Sequence, residues 1–458
     1  MLSPLLLGLS LALLAAHALR RALASPLNKI PGPWHAKFTS LVLKWHEFRA
    51  NRTRYIHHLH LKYGPAVRIA PSEIAFASAA AVKEIYCSGG SGYDKTEFYD
   101  LFKVYGRRTM FTTLNKEDHA KRKRILADRY ANTNVVRPQS LDGIAERAAN
   151  FVRRCVRSAG GSLDLYSGKD EEIMREVTFD NSLQNRLFKY YWPTAHKIFG
   201  KILYLFAKPR ETPLADDFVL DTSARTDAAP FTLLDRLQGP SFHLDHLDIA
   251  AECLDHMAAG IDTTGDALCF LMWELSQPRS MPYQRKLQAE LLANPGAGFD
   301  KLPYLDAVVT EGLRCFPAIP MSLPRYVPAG GRTVDGFFLP QGTTVSCQAY
   351  SVHRIDEAVF PDPDRFDPER WLEPKGDAER KRLFFAFANG GRGCIGKHLA
   401  LAEMKMLLQA VYSRFTTLPD ATMTPGDMEM SDQLISSRPA GQRCLLRFVP
   451  LDLAKECE

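Results

Sequence analysis

The chain is 458 residues long, 46% apolar and 24% charged, a balance that suits a folded body and excludes a disordered, collagen-like or fully membrane-embedded chain. Its length allows one large domain or two ordinary ones. The formal charge of +6, from 58 basic and 52 acidic residues, is too small and too dispersed for nucleic-acid binding, but it suits an anionic membrane face or an acidic partner.

Met1 to Leu19 carries no formal charge and is dominated by Leu and Ala. As a helix it reaches roughly 28 Å, close to a hydrocarbon core of about 30 Å. Arg20 and Arg21 follow, and basic residues just after a first span stay cytosolic. The sequence therefore predicts a transmembrane anchor over 1–24. A cleaved signal peptide competes, through the A-x-A site Ala22-Leu23-Ala24, but no basic segment precedes the apolar run. Pro26 and Pro31-Gly32-Pro33 place a stiff hinge over 25–40. The main body runs over 41–458.

Leu41 to Tyr63 is amphipathic and helical, ending at Gly64-Pro65. His57, His58 and His60 lie on it without a carboxylate or thiol partner and read as surface histidines. Residues 66–70 and 73–77 alternate like two short strands split by Pro71. Residues 87–118 form a long, aromatic-rich irregular stretch of the kind that is functional or disordered. Residues 119–131 read as a helix dense in base. After Thr212 come prolines and short polar runs, then a strong helix from about Leu244 to Ser276. Pro303 opens another helix and Pro317 closes it. Alternation between Pro320 and Cys347 indicates a small sheet, residues 361–372 are irregular, and a last helix covers about Ile395 to Phe415. The fold class is mainly α with small β-sheets.

The nine cysteines are scattered and include no C-x-x-C, so they form neither a disulfide framework nor a zinc ribbon, and a reducing compartment is the default. One has a specific context: Phe387-Ala388-Asn389-Gly390-Gly391-Arg392-Gly393-Cys394-Ile395-Gly396, ahead of a helix. A cysteine at a helix entrance feels the positive end of the dipole, which favours thiolate. Glycines allow a flat ligand to approach, and Arg392 can bind its carboxylate. Together these describe a thiolate ligand to haem iron. Gly391-x-Gly393-x-x-Gly396 is also a formal dinucleotide-binding turn, but no acidic strand end follows and no strand–helix alternation surrounds it.

The segment is similar to the haem-binding signature F-x-x-G-x-R-x-C-x-G of the cytochrome P-450 superfamily, matched at every fixed position. The resemblance runs from the anchor to about Phe448 and is to fungal-type, membrane-anchored members. It implies the prism-shaped cytochrome P-450 fold and haem b with Cys394 as the iron ligand. It also implies cofactor contacts from Phe387, Gly390, Arg392, Gly396 and Arg325. Glu311-Gly312-Leu313-Arg314 resembles the family's K-helix, with Arg370 of Pro368-Glu369-Arg370-Trp371 completing a structural ion-pair network. The spacing alone is weak, since Glu172-Arg175 and Glu379-Arg382 share it. Ala259-Gly260-Ile261-Asp262-Thr263-Thr264 resembles the distal helix, which opens beside bound oxygen. There Thr263 steadies the oxygen and Asp262 helps deliver protons.

Where the family often has W-x-x-x-R for the haem propionates, this chain has His119 and Lys123, with Arg122 or Arg124 as substitutes; lysine loses the bidentate fork. The remaining basic patch is either a solvated face or a docking surface for a reductase flavin domain. The resemblance further implies a monooxygenase of an apolar small molecule, a terpenoid or polyketide intermediate, fed by an NADPH-dependent reductase. Its place would be the endoplasmic reticulum membrane, with the haem domain facing the cytosol. Substrate contacts would come from Phe98, Tyr99, Phe102, Phe111, Ile319 to Met321, and Leu434-Ile435. Between Leu163 and Glu172 the chain is shorter than the family pattern by about one helix. That gap motivates a non-catalytic haem-binding remnant as one alternative, beside a haem-thiolate isomerase or dehydratase that uses no oxygen.

Overall fold

Proline, glycine and polar caps set most element boundaries in the computed structural model, which describes residues 4–87, 92–158, 161–166, 183–203 and 213–451. The first helix is Pro4–Ala24. Among the described residues no helix is long and apolar enough to cross a membrane. The proline-rich segment after it is docked on the body. Leu27 and Ile30 are buried, and the Arg68 amide donates to the Pro31 carbonyl at 2.8 Å. A Cβ on Gly32 would stand 2.4 Å from the Arg68 carbonyl oxygen, so only glycine fits there.

The helix expected over Leu41 to Tyr63 is two helices, Leu41–Phe48 and Arg52–Tyr63. The chain breaks at Ala50, whose φ of 53° is left-handed and incompatible with a continued right-handed helix. Of its three histidines, His58 is exposed as expected and His57 is half-buried, but the surface reading of the third needs correction. His60 is buried and bonds through Nδ1 to the Gly64 carbonyl at 3.0 Å, while burial lowers its pKa to about 4. No group of His, Cys, Asp and Glu that could hold a metal ion exists among the described residues.

Ala66–Ala70 and Glu73–Phe76 pair antiparallel and open a five-stranded sheet. Its spatial order continues through Thr344–Cys347 and Arg325–Tyr326 to Asp94–Lys95. A three-stranded sheet joins Ser162–Asp164, Leu445–Pro450 and Phe415–Pro419. The irregular stretch 87–118 thus contributes a sheet edge. The proline-rich region after Thr212 contains the helix Pro213–Ala224, which proline can open because its missing N–H lies where no helical bond forms. The shortened segment after Leu165 runs into residues 167–182, outside the described residues.

The long helix spans His246–Ser276, with Asp245 accepting the Asp248 amide at 2.8 Å as its N-cap. Ile249 to Glu252 and Cys269 to Ser276 are buried, whereas Ala259 and Gly260 are exposed. The helix is therefore packed at both ends and solvent-exposed around Ala259 and Gly260. Its buried C-terminal half packs with the helices Pro303–Cys315 and Lys397–Tyr412 in the largest core cluster, against which Ala386 and Phe387 also pack. The eight described cysteines are all free.

Candidate functional site

The Cys394 loop owes its shape to backbone contacts. Ala388 and Gly390 are left-handed, with φ of 51° and 70°. The Cys394 amide donates to the Phe387 carbonyl at 2.9 Å and Gly393 to Gly390 at 3.0 Å. A Cβ on Gly390 would stand 2.1 Å from the Tyr86 carbonyl oxygen. Cys394 is exposed. Desolvation by the surrounding protein pushes its thiol up even so, opposed by the amides of Gly396 and Lys397 and by the charges of Lys123 and Lys397. A coordinated metal deprotonates such a thiol outright.

On the same side of the fold, nitrogen donors gather from four elements. Lys95 and Arg325 are strand partners, His119 lies in the helix Lys116–Leu126, and Arg392 lies in the Cys394 loop. Lys95, His119 and Arg325 are buried. No ion pair joins any of the four to a carboxylate among the described residues. His119 Nδ1, Arg325 Nε and Arg392 Nη1 are buried polar atoms without a hydrogen-bond partner. Burial, then the charges of Lys95 and Arg392, hold the His119 imidazole down to about 2. Burial, then Arg325, lowers the Arg392 guanidinium to about 10. Buried donors rarely lack acceptors. A soft sulfur ligand beside a cluster of unpaired donors fits a flat metal ligand that carries carboxylates, which is the donor set of haem.

Of the other basic residues of the His119 helix, Lys123 lies close enough for its charge to act on His119 and Lys95. Lys123 donates to the Gly393 and Gly391 carbonyls at 2.7 and 3.1 Å, which ties that helix to the Cys394 loop. Arg122 pairs with Glu252 at 3.3 Å, and Arg124 is exposed and bonded to the Ala120 carbonyl.

On the long helix, Thr263 Oγ1 donates to the Ala259 carbonyl at 2.6 Å. The helix does not open there: the hydroxyl takes the carbonyl as a second donor while the helix stays continuous, a familiar threonine back-bond. Asp262 and Thr263 are half-buried, beside exposed Ala259 and Gly260.

Beneath the loop, Glu311 receives Arg314 on both oxygens at 2.8 Å, Arg370 at 3.1 Å and the Trp371 indole at 2.8 Å. Burial alone would raise the Glu311 carboxyl, but the bonds and charges of Arg314 and Arg370 hold it below its usual value. Sequence reasoning gave no role to the Trp371 indole, to His353, whose Nδ1 bonds the Arg314 carbonyl at 2.9 Å, or, in the nitrogen cluster above, to Lys95. Of the substrate contacts implied by resemblance, Tyr99, Met321, Leu434 and Ile435 are buried in the core, while Phe98, Phe102, Phe111 and Ile319 are partly buried around it.

A family model described as Cytochrome P450 matches residues 177–445, more than half of the chain. The cytochrome P450 monooxygenase stcB of Emericella nidulans is 30% identical over 473 residues, covering 94% of this chain and 90% of the relative. The cytochrome P450 monooxygenase tazI of Aspergillus terreus is 30% identical over 473 residues, covering 93% and 94%. The cytochrome P450 monooxygenase orf2 of Aspergillus niger is 28% identical over 502 residues, covering 96% and 97%.

Proposed function

Because the chain belongs to the cytochrome P450 family of haem-thiolate monooxygenases, we propose that it inserts one oxygen atom of O2 into an apolar small molecule of fungal secondary metabolism. A terpenoid or polyketide intermediate is the substrate class, and an NADPH-dependent reductase supplies the electrons. The observation that carries this reading is the accessible Cys394 sulfur beside the unpaired donors of His119, Arg325 and Arg392. When bound, the haem supplies oxygen activation, and its thiolate ligand favours O–O cleavage.

The chain's own residues do the rest. Cys394 Sγ is the iron ligand, and Phe387, Gly390 and Gly396 shape its loop. Arg325, Arg392 and His119 hold carboxylates. Lys123 fixes the loop from outside. Thr263 Oγ1 holds a proton beside the exposed Ala259 and Gly260 of the long helix, and Asp262, one residue earlier, exchanges protons with water. Glu311, Arg314 and Arg370 hold the ground beneath the loop and do not react.

A membrane site accords with the apolar sequence over 1–19 and with the exposed side chains of Leu9, Leu13, Trp34, Leu41 and Trp45. The reading is an anchor over 1–24 in the endoplasmic reticulum, with the haem domain in the cytosol. The deciding experiment is the absorption spectrum of reduced, carbon monoxide-bound protein, wild type and Cys394→Ser, followed by reductase-dependent turnover. A red-shifted Soret band in the wild type alone, with NADPH-dependent oxygenation, is the expected result. A wild type without that band overturns the assignment.

A further inference from the structure

Tyr130, just past the end of the helix Lys116–Leu126, meets the N-terminal part of the long helix. Its hydroxyl lies 2.6 Å from His256 Nδ1, and the two rings are tilted, with centroids 5.3 Å apart. One turn earlier on the long helix stands Glu252. His256 Nε2 lies 3.4 Å from Glu252 Oε1, and both side chains are buried, 9% and 4% exposed. The carboxylate also accepts the Met110 amide, at 2.9 and 3.1 Å, and pairs with Arg122. A carboxylate beside Nε2 favours the imidazole proton on that nitrogen, which leaves Nδ1 to accept from the phenol. A phenol, a base and a buried anion are thus joined in series.

The series adjoins the Cys394 loop. Cys253 and Ile395, the residue after Cys394, pack against the same apolar cluster. Burial, then the charges of Cys253, Glu252 and Cys394, hold the Tyr130 hydroxyl well above the usual phenol value, so the resting phenol keeps its proton. A phenol ring that has lost an electron becomes strongly acidic, and here a base stands within hydrogen-bond distance to take that proton. Joining two helices requires only an acceptor. What the imidazole adds is basicity, and what Glu252 adds is a counter-charge for the imidazolium.

We propose that Tyr130 and His256 form a redox relay that removes an oxidising equivalent from the haem when dioxygen has been cleaved and no substrate takes the oxygen atom. This rests on the haem reading above and goes beyond it. Tyr130 gives one electron to the haem, and its hydroxyl proton moves to His256 Nδ1. The products are a neutral phenoxyl radical, an imidazolium facing Glu252 and a haem reduced by one electron. One electron from the reductase and return of the proton restore both side chains.

The test uses full-length, haem-loaded ferric protein without substrate. It is mixed with peracetic acid, which supplies the oxidising equivalents, and freeze-quenched for electron paramagnetic resonance, while the Soret band times haem bleaching. Wild type should give a tyrosyl radical signal. Tyr130→Phe should lose most of that signal and bleach its haem faster. His256→Gln, which keeps an acceptor for the phenol but no base, should lose the signal as well. A signal of full strength in either variant overturns the proposal, as does a wild type without a tyrosyl signal. Should Tyr130→Phe not fold, a ring-fluorinated tyrosine placed at position 130 keeps the hydroxyl and adds a fluorine splitting to the signal; an unsplit signal overturns the proposal. A wild type without the thiolate-type carbon monoxide band refutes the functional reading. A wild type that has that band, with a radical indifferent to position 130, refutes this inference alone.

Discussion

His353 Nε2 accepts the backbone amide of Phe385 at 2.8 Å. The same ring donates from Nδ1 to the Arg314 carbonyl at 2.9 Å. One imidazole thereby joins the Glu311–Arg314 network to the entry of the Cys394 loop, and its two bonds define the tautomer. The ring is fully buried, and burial lowers its pKa to about 3, so it stays neutral across the working range. His353→Phe keeps an aromatic ring to stack on Phe384 but adds volume at a fully buried site and leaves one buried N–H and one buried C=O unsatisfied. The expected loss is about 2–4 kcal/mol in urea unfolding, together with faster haem release. Unchanged stability would show that water replaces both bonds.

Glu311 neutralises two buried arginines at once, at 2.8 Å to Arg314 and 3.1 Å to Arg370. Glu311→Gln preserves shape and leaves both cations without a counter-charge. A loss of about 3–5 kcal/mol is expected, the usual result of breaking a buried pair from one side. Urea titration with matched circular dichroism and Soret readouts measures it. Replacing all three residues by apolar ones of similar volume should cost less than Glu311→Gln alone, because no charge is then stranded.

Gly390→Ala tests the loop geometry. Its φ of 70° already disfavours a side chain, and the added Cβ would stand 2.1 Å from a backbone oxygen that cannot swing aside. The loop must shift, and Cys394 with it. The variant should express as folded protein with little bound haem. Normal haem content would mean that the contact with Tyr86 relaxes without moving the sulfur.

Features that depend on nearby residues were legible in the sequence. Pro71 splits two strands, Pro303 starts a helix, and glycines around Cys394 mark a loop that must approach other backbone closely; each is a local steric fact. What escaped depends on register and rotation. Lys95 lies in a stretch that looked irregular, and only its pairing opposite Arg325 reveals two cations side by side. Lys123 sits on the basic helix at the expected spacing, but the rotation of that helix points it at the Gly393 carbonyl. The local signature of the break is Asn51, a favoured N-cap type that stands at the N-cap of Arg52–Tyr63 without a side-chain bond; the start of that helix is held instead by the Asp432 carboxylate, which no local pattern indicates.

That carboxylate gives a pH dependence. Asp432 Oδ2 accepts the Thr53 amide at 2.7 Å and is buried. Burial raises its pKa to about 6, although the Thr53 bonds and the Arg52 charge oppose the rise. Between about 3.9, its unfolded value, and 6 the folded chain keeps a proton that the unfolded chain has lost. Stability therefore falls as pH rises through that window, and above it the full cost of burying the charge is present. Asp432→Asn retains an oxygen acceptor for Thr53 and removes the charge. It should be more stable than wild type by about 2–3 kcal/mol above pH 7, with the gap closing as pH falls to 4. Urea unfolding of both proteins at pH 4, 5.5 and 7.5 reads this directly. A gap independent of pH would mean that the aspartate is already neutral at pH 7.5, or that the amide stabilises through packing alone.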